Sequence, residues 1–152
     1  MTEAQLSNAM DAYGSTVYRL ALTRMQNIAD AEDVYQEVFL RLWKQAAEDW
    51  DGDRAKAWLI RTTLNRCADL HRFRLRRPVL SFAEIPDLAQ PEDESRELWE
   101  AVSRLPEKAR TAVHLYYAEG YSAEEISQLM HIPAATVRTR LHRARKQLKE
   151  LL

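Results

Sequence analysis

The chain has 152 residues, enough for one ordinary domain or two small ones, with a net charge of −1. Hydrophobic residues make up 46% and charged residues 30%, the balance of a folded chain rather than a disordered one. No apolar run approaches the roughly 20 residues of a membrane span, the start Met1 to Gln5 lacks an export signal, and the lone Cys67 excludes an internal disulfide or a thiolate metal cluster. These features place the expected location in the cytoplasm, with no membrane insertion.

Helical periodicity dominates in chain order and no strand alternation stands out. Leu6 to Gln26 reads as two helices broken near Gly14-Ser15. Asp30 is the expected cap of a helix running to about Ala46. Glu48 to Asp53 is polar with a glycine and reads as a loop. A further helix is expected from about Arg54 to Arg76, ending before Pro78. Val79 to Asp93, with Pro86, Pro91 and clustered acids, reads as a linker between domains 1–78 and 94–152. Helix resumes at Glu94 with interruptions at Pro106, Gly120 and His131-Ile132-Pro133. The expected fold is all-α: two small helical domains, the second a helix-turn-helix.

The modest net charge hides a segregated pattern. Arg61, Arg66, Arg72, Arg74, Arg76 and Arg77 face only Asp69 between 61 and 77, and Arg138, Arg140, Arg143, Arg145, Lys146 and Lys149 face no acid between 134 and 149. An acidic stretch, 84–107, separates them. Two basic blocks are consistent with two polyanion-binding surfaces and equally with solvated helix faces.

In the C-terminal part, Ser122 with Glu125 forms a capping box ahead of a short helix whose Ile126, Leu129 and Met130 point inward. A three-residue turn and a basic helix follow, the order of a helix-turn-helix whose second helix enters the major groove. At about 100° per residue, Val137, Leu141, Ala144, Leu148 and Leu151 share the core side. Ala135, Arg138, Thr139, His142, Arg143 and Lys146 share the other. Arginine forks suit guanine edges, and threonine and histidine suit bases or phosphates. Arg140 and Arg145 fall at the margins, where phosphate contact is the expectation.

Two N-terminal helices also divide into faces. Ala31, Val34, Tyr35, Val38, Phe39 and Leu42 form one core stripe, leaving Asp33, Gln36, Glu37, Leu40 and Lys44 outside and Trp43 at the edge. The wheel alone favours Leu40 and Trp43 packing against a neighbouring helix over docking on a basic partner. On the next helix Leu59, Ile60, Thr63, Leu64, Cys67 and Leu70 face inward, and Trp58, Arg61, Thr62, Asn65, Asp69 and Arg72 face out. An aromatic ring among arginines suits unstacked bases, and it equally suits burial under a loop.

Asp30-Ala31-Glu32-Asp33-Val34-Tyr35-Gln36-Glu37-Val38-Phe39-Leu40-Arg41-Leu42-Trp43 resembles the polymerase-docking helix of extracytoplasmic-function sigma factors. Ala57-Trp58-Leu59-Ile60-Arg61 with Asn65 and Asp69 is similar to their promoter-melting helix. Leu105-Pro106 through Gly120-Tyr121-Ser122 to Arg143-Ala144-Arg145 is similar to their helix-turn-helix domain, so the resemblance covers nearly the whole chain in family order. It implies a transcription initiation factor that guides RNA polymerase to promoters and opens the DNA. Asp33, Gln36, Glu37, Leu40 and Trp43 would bind core RNA polymerase. Trp58, Arg61, Asn65 and Arg72, with the loop from Trp50 to Lys56, would engage the −10 element as duplex and melted strand. Thr136, Arg138, Thr139, Arg140, His142, Arg143 and Lys146 would bind the −35 element. An anti-sigma factor is a further partner the family implies. Tyr35, Thr62-Thr63 and Ala135 depart from the family's more usual residues.

The rival reading is a helix-turn-helix regulator that works without polymerase, but the N-terminal half offers no α/β receiver or ligand-pocket pattern. An enzyme is not expected: His71, His114, His131 and His142 are scattered, phosphate loops and nucleophile elbows are absent, and Cys67 lies on a core face. No cofactor or metal is expected.

Overall fold

The computed structural model describes residues 1–45, 52–73 and 96–152. Among them the only regular elements are helices, and the chain divides into two compact units, Met1–Ala89 and Gln90–Leu152. The expected linker 79–93 lies outside the described residues.

The first unit is built from α1 (Glu3–Met25), α2 (Ile28–Lys44) and α3 (Gly52–Phe73). Thr2 opens α1 through a capping box: its hydroxyl accepts from the Gln5 backbone N–H, and Gln5 Oε1 accepts from the Thr2 N–H. The break expected at Gly14-Ser15 does not occur, and α1 runs unbroken through both. Glycine costs a helix about 1 kcal/mol relative to alanine, but here it serves packing. Gly14 is buried, and a Cβ at that position would sit 3.1 Å from the Tyr35 hydroxyl. Tyr35 on α2 thus lies against the missing side chain on α1 and between the rings of Tyr18 and Phe39, at centroid distances of 5.9 and 4.8 Å.

A left-handed Gln26 (φ 49°) closes α1, its N–H donating to the Leu22 carbonyl. The cap of α2 is Asn27, whose side chain accepts from the Asp30 N–H at 3.0 Å. Asp30, expected as the cap, instead occupies the third helical position and is buried. Both residue types cap well, and the earlier one takes the role because it reaches the first free N–H groups. The helix ends at Lys44, before the expected Ala46.

The third helix starts at Gly52, earlier than the expected Arg54, with the Tyr13 hydroxyl donating to the Gly52 carbonyl. Its end is described to Phe73, and Arg76 lies outside the described residues. Val17, Leu22, Val34, Val38, Leu42, Leu59, Cys67 and Leu70 from the three helices form one apolar core. Thr63 sits fully inside it, its hydroxyl donating to the Leu59 carbonyl at 2.7 Å. That internal bond is what allows a threonine where an apolar residue would fit.

The second unit comprises α4 (Arg96–Ser103), α5 (Glu107–Val113) continued by a π-turn (His114–Ala118), α6 (Ala123–Met130) and α7 (Ala134–Leu151). The chain is interrupted at Pro106, Gly120 and His131–Pro133, where the breakers stand in the sequence. Buried Arg110 donates from Nη1 to the Leu105 carbonyl at 2.8 Å, tying α5 to the turn before it. Within the π-turn, buried His114 lies edge-on to Trp99 and 3.6 Å from Glu119. Gly120, at φ 75°, is the one glycine whose backbone needs the left-handed region, and it lets Tyr121 N–H reach the Leu115 carbonyl. Ile126, Leu129, Val137, Leu141, Ala144 and Leu148 are buried, as the wheel required. Leu151 is 39% exposed, because it sits in the last helical turn beyond the core, and Met130 is half-buried.

The Gly14 contact yields a stability test. Gly14→Leu should lower stability by about 1–3 kcal/mol through overpacking against Tyr35. Denaturant unfolding of the full chain would register the loss, and unchanged stability would mean Tyr35 simply moves aside.

Candidate nucleic-acid and partner interfaces

The α2 stripe opposite the core carries Asp33, Gln36, Glu37, Leu40 and Trp43. Asp33 and Gln36 are exposed, and Glu37 is half-buried and paired to Arg41 at 3.1 Å. Leu40 and Trp43 are 47% and 38% exposed. Both line an apolar groove of about 520 Å³ with Leu6 and Met10 of α1 and Tyr35 and Phe39 of α2. The packing that the wheel favoured for them is therefore only partial. Each touches the seam between α1 and α2 and keeps an uncovered side, bordered by acids.

Along α3, Arg61, Asn65 and Arg72 are exposed, whereas Trp58 and Lys56 are half-buried. The Trp58 ring packs against the core of its unit, so the burial alternative applies to much of it. Thr62, expected on the outer face, is only 8% exposed and donates its hydroxyl to the Trp58 carbonyl at 2.8 Å. The apolar stripe of α3 is wider than the wheel drew it, and a satisfied hydroxyl fits inside its edge. Asp69 lies 4.0 Å from Arg72 in a loose surface pair. Trp50 lies outside the described residues. Trp58, Arg61 and Asn65 follow at spacings of three and four, which places them along one side of the helix.

On α7, Arg138, Thr139, His142, Arg143 and Lys146 are exposed together, with Thr136 and Arg140 half-buried at the flank. The preceding α6 begins with the expected capping box, Ser122 Oγ accepting from Glu125 N–H and Glu125 Oε1 from Ser122 N–H. His131 (φ 56°) supplies the left-handed turn residue. Thr139 donates its hydroxyl to the Ala135 carbonyl, so outward it presents a methyl group and an oxygen acceptor.

Two contacts on this unit escaped the sequence reading. Arg138 Nη2 donates to Glu124 Oε1 at 2.5 Å, joining the start of α6 to α7 across the turn. A hydrogen bond from its own backbone, and then Arg138, hold the Glu124 carboxyl below its usual value. A depressed carboxylate favours the folded state above its unfolded pKa, so this pair is lost as pH falls through the folded one. Arg145 donates from Nε to the Tyr117 hydroxyl at 2.7 Å. Its guanidinium lies 5.7 Å from the ring centroids of both Tyr116 and Tyr117. No local spacing signals either contact, since the partners stand 14 and 28 residues apart. Among the described residues no cluster of three or more His, Cys, Asp or Glu could hold a metal ion.

With this geometry in place, comparison with known proteins is direct. The family description Sigma-70 region 2 matches residues 9–77, and Sigma-70, region 4 matches residues 95–148. The chain is 34% identical to the ECF RNA polymerase sigma factor SigE of Mycolicibacterium smegmatis, over 92% of this chain and 58% of that protein. It is 30% identical to the ECF RNA polymerase sigma factor SigL of Mycobacterium tuberculosis, over 97% of this chain and 89% of that one. The solved structure of CnrH in complex with the cytosolic domain of CnrY superimposes with a TM-score of 0.68 at 26% identity, over 99% of this chain and 88% of that one. The two matched regions and these relatives define a DNA-binding transcription protein of the sigma-70 class rather than an enzyme. More narrowly, the chain belongs to the ECF RNA polymerase sigma factors.

The capping box at Ser122 satisfies free N–H groups at the start of α6. Ser122→Ala should cost roughly 1 kcal/mol, read as a lower unfolding midpoint of the full chain with its m-value unchanged. An unaltered midpoint would show that the capping bonds contribute nothing net.

Proposed function

We propose that this sigma factor divides promoter recognition among three faces. The α2 stripe of Asp33, Gln36, Glu37, Leu40 and Trp43 docks on core RNA polymerase. The α3 stripe of Trp58, Arg61, Asn65 and Arg72, with Lys56 and Trp50, engages the −10 element and holds it open. The α7 face of Thr136, Arg138, Thr139, Arg140, His142, Arg143 and Lys146 binds the −35 element. The observation that carries this reading is the α7 face itself: a helix packed through Val137, Leu141, Ala144 and Leu148 turns Arg138, Thr139, His142, Arg143 and Lys146 outward at the second helix of a capped helix-turn-helix. Such a face neutralises phosphates and reaches base edges in the major groove.

The α2 face supports a protein partner instead, because it joins exposed apolar surface to acids. On α3, exposed arginines and an amide beside a partly covered indole suit single-stranded bases. An anti-sigma factor is a third partner proposed here, supported by the related CnrH having been solved with the cytosolic domain of CnrY. No helix among the described residues is long and apolar enough to cross a membrane. The site of action proposed is the cytoplasm, where polymerase and promoters meet.

The direct test is transcription of a genomic template library by core polymerase with and without the chain. Chain-dependent transcripts are expected, and duplex binding with no effect on the polymerase would favour a polymerase-independent regulator. For docking, reversing Asp33 and Glu37 to lysine should weaken core binding on the order of tenfold, about 1.4 kcal/mol. Wild-type affinity in that double variant would remove α2 as the docking face. For opening, Asn65→Ala should reduce open complexes severalfold, as expected for about 1 kcal/mol, without weakening −35 duplex binding. Permanganate reactivity of thymines in the melted region measures this, and unchanged reactivity would leave α3 a purely structural helix.

A further inference from the structure

An acid at the edge of a DNA-binding face needs a physical reason, because phosphates repel it. Glu124 is such an acid: its side chain is 64% exposed, it lies in the first turn of α6, and it grips Arg138, itself 57% exposed on the α7 face. Helix stability explains an acid in the first turn, where the helix dipole favours negative charge. It does not explain why this carboxylate reaches across the turn to an arginine of the DNA face.

We infer that Glu124 is a positioning and specificity-determining residue, which holds the Arg138 guanidinium in the orientation that reads a base edge and opposes its use on phosphates. The inference rests on the proposed reading of α7 as a duplex-binding face. The contact engages Nη2 of Arg138, and guanidinium carries five N–H donors in a rigid fork. One N–H of Nη2 is engaged by Glu124, so its second N–H, paired with Nη1, remains to address a hydrogen-bond acceptor pair such as the O6 and N7 of guanine. An unrestrained arginine samples many rotamers, and fixing one before binding removes that entropy from the recognition step. The same carboxylate acts against the wrong mode. If Arg138 swings to a phosphate, Glu124 is left unpaired beside the DNA backbone, and that repulsion weakens sequence-independent binding. Both effects raise the ratio of specific to non-specific affinity. Arg143 and Lys146, exposed on the same face, add their own attraction for the duplex.

The experiment uses the full chain bound to core polymerase, selecting from duplexes randomised over the upstream element, together with titration of random-sequence DNA at several salt concentrations. Arg138→Ala identifies the base pair that Arg138 reads. Glu124→Gln should lower discrimination at that same base pair roughly three- to tenfold. It should also tighten random-sequence binding and steepen its salt slope by about one phosphate contact. Glu124→Asp keeps the first-turn charge but is one methylene shorter. It should lose the discrimination while leaving random-sequence affinity near wild type, which separates positioning from charge and from helix stability. In an Arg138→Ala background, Glu124→Gln should no longer change base preference. Undiminished discrimination in both Glu124 variants, where Arg138→Ala does reduce it, overturns the role of Glu124 and leaves the reading of α7 intact. If Arg138→Ala alters preference at no base pair, the assignment of Arg138 fails, and the inference falls with it.

Discussion

Everything outward on this protein is decided by what is pulled inward. A helix that buries one stripe has only the opposite stripe to offer, and burial of several large apolar side chains per helix, each worth about 1.5–3 kcal/mol, leaves its rotation no freedom. Val34, Val38 and Leu42 hold α2, Leu59, Cys67 and Leu70 hold α3, and Val137, Leu141 and Leu148 hold α7. None of these residues touches DNA or polymerase in the proposed mechanism. They set the angle at which every interacting residue stands, so the chemistry of the surface is a consequence of the packing beneath it.

This dependence is also why much of the protein could be read from its sequence. The inward sets on α2, α3 and α7 follow from a period of 3.6, and their complements follow with them. Ser122 with Glu125, Pro106 and Gly120 mark boundaries through local chemistry that needs no tertiary knowledge. Local rules misled where a distant partner intervened. Gly14 reads as a break until Tyr35 is seen lying against it. Thr62 reads as outward until its hydroxyl is found satisfied by the turn before it. Asp30 lost the cap to Asn27 because two competent caps stood three residues apart. The pairs Arg138–Glu124 and Arg145–Tyr117 were hidden for a different reason: they are contacts between elements, and periodicity describes each element alone.

Those two pairs change how the basic block of α7 should be understood. Six cations stand in the segment 134–149, yet they are not six equivalent phosphate ligands. Arg138 is engaged with a carboxylate, and Arg145 is engaged with a phenol hydroxyl and lies near two aromatic rings. Arg143 and Lys146 extend outward from the centre of the face. A block of charge in sequence thus becomes a differentiated surface in space, with Arg138 held by α6 and Arg145 held by the π-turn after α5.

The turn between α6 and α7 has a further consequence, for how this unit can vary. His131 occupies the left-handed region, Ile132 N–H is spent on the Ser127 carbonyl, and Pro133 has no N–H at all. Side chains around this turn can be exchanged one at a time with graded effects on affinity. Length cannot be treated in the same way. One residue inserted within α7 ahead of its apolar stripe would advance everything beyond it by about 100°, carrying Leu141 and Leu148 toward solvent and swinging arginines toward the core. The recognition surface is therefore tolerant of spelling and intolerant of frame, and diversity in what such a helix reads must arise by substitution rather than by insertion or deletion.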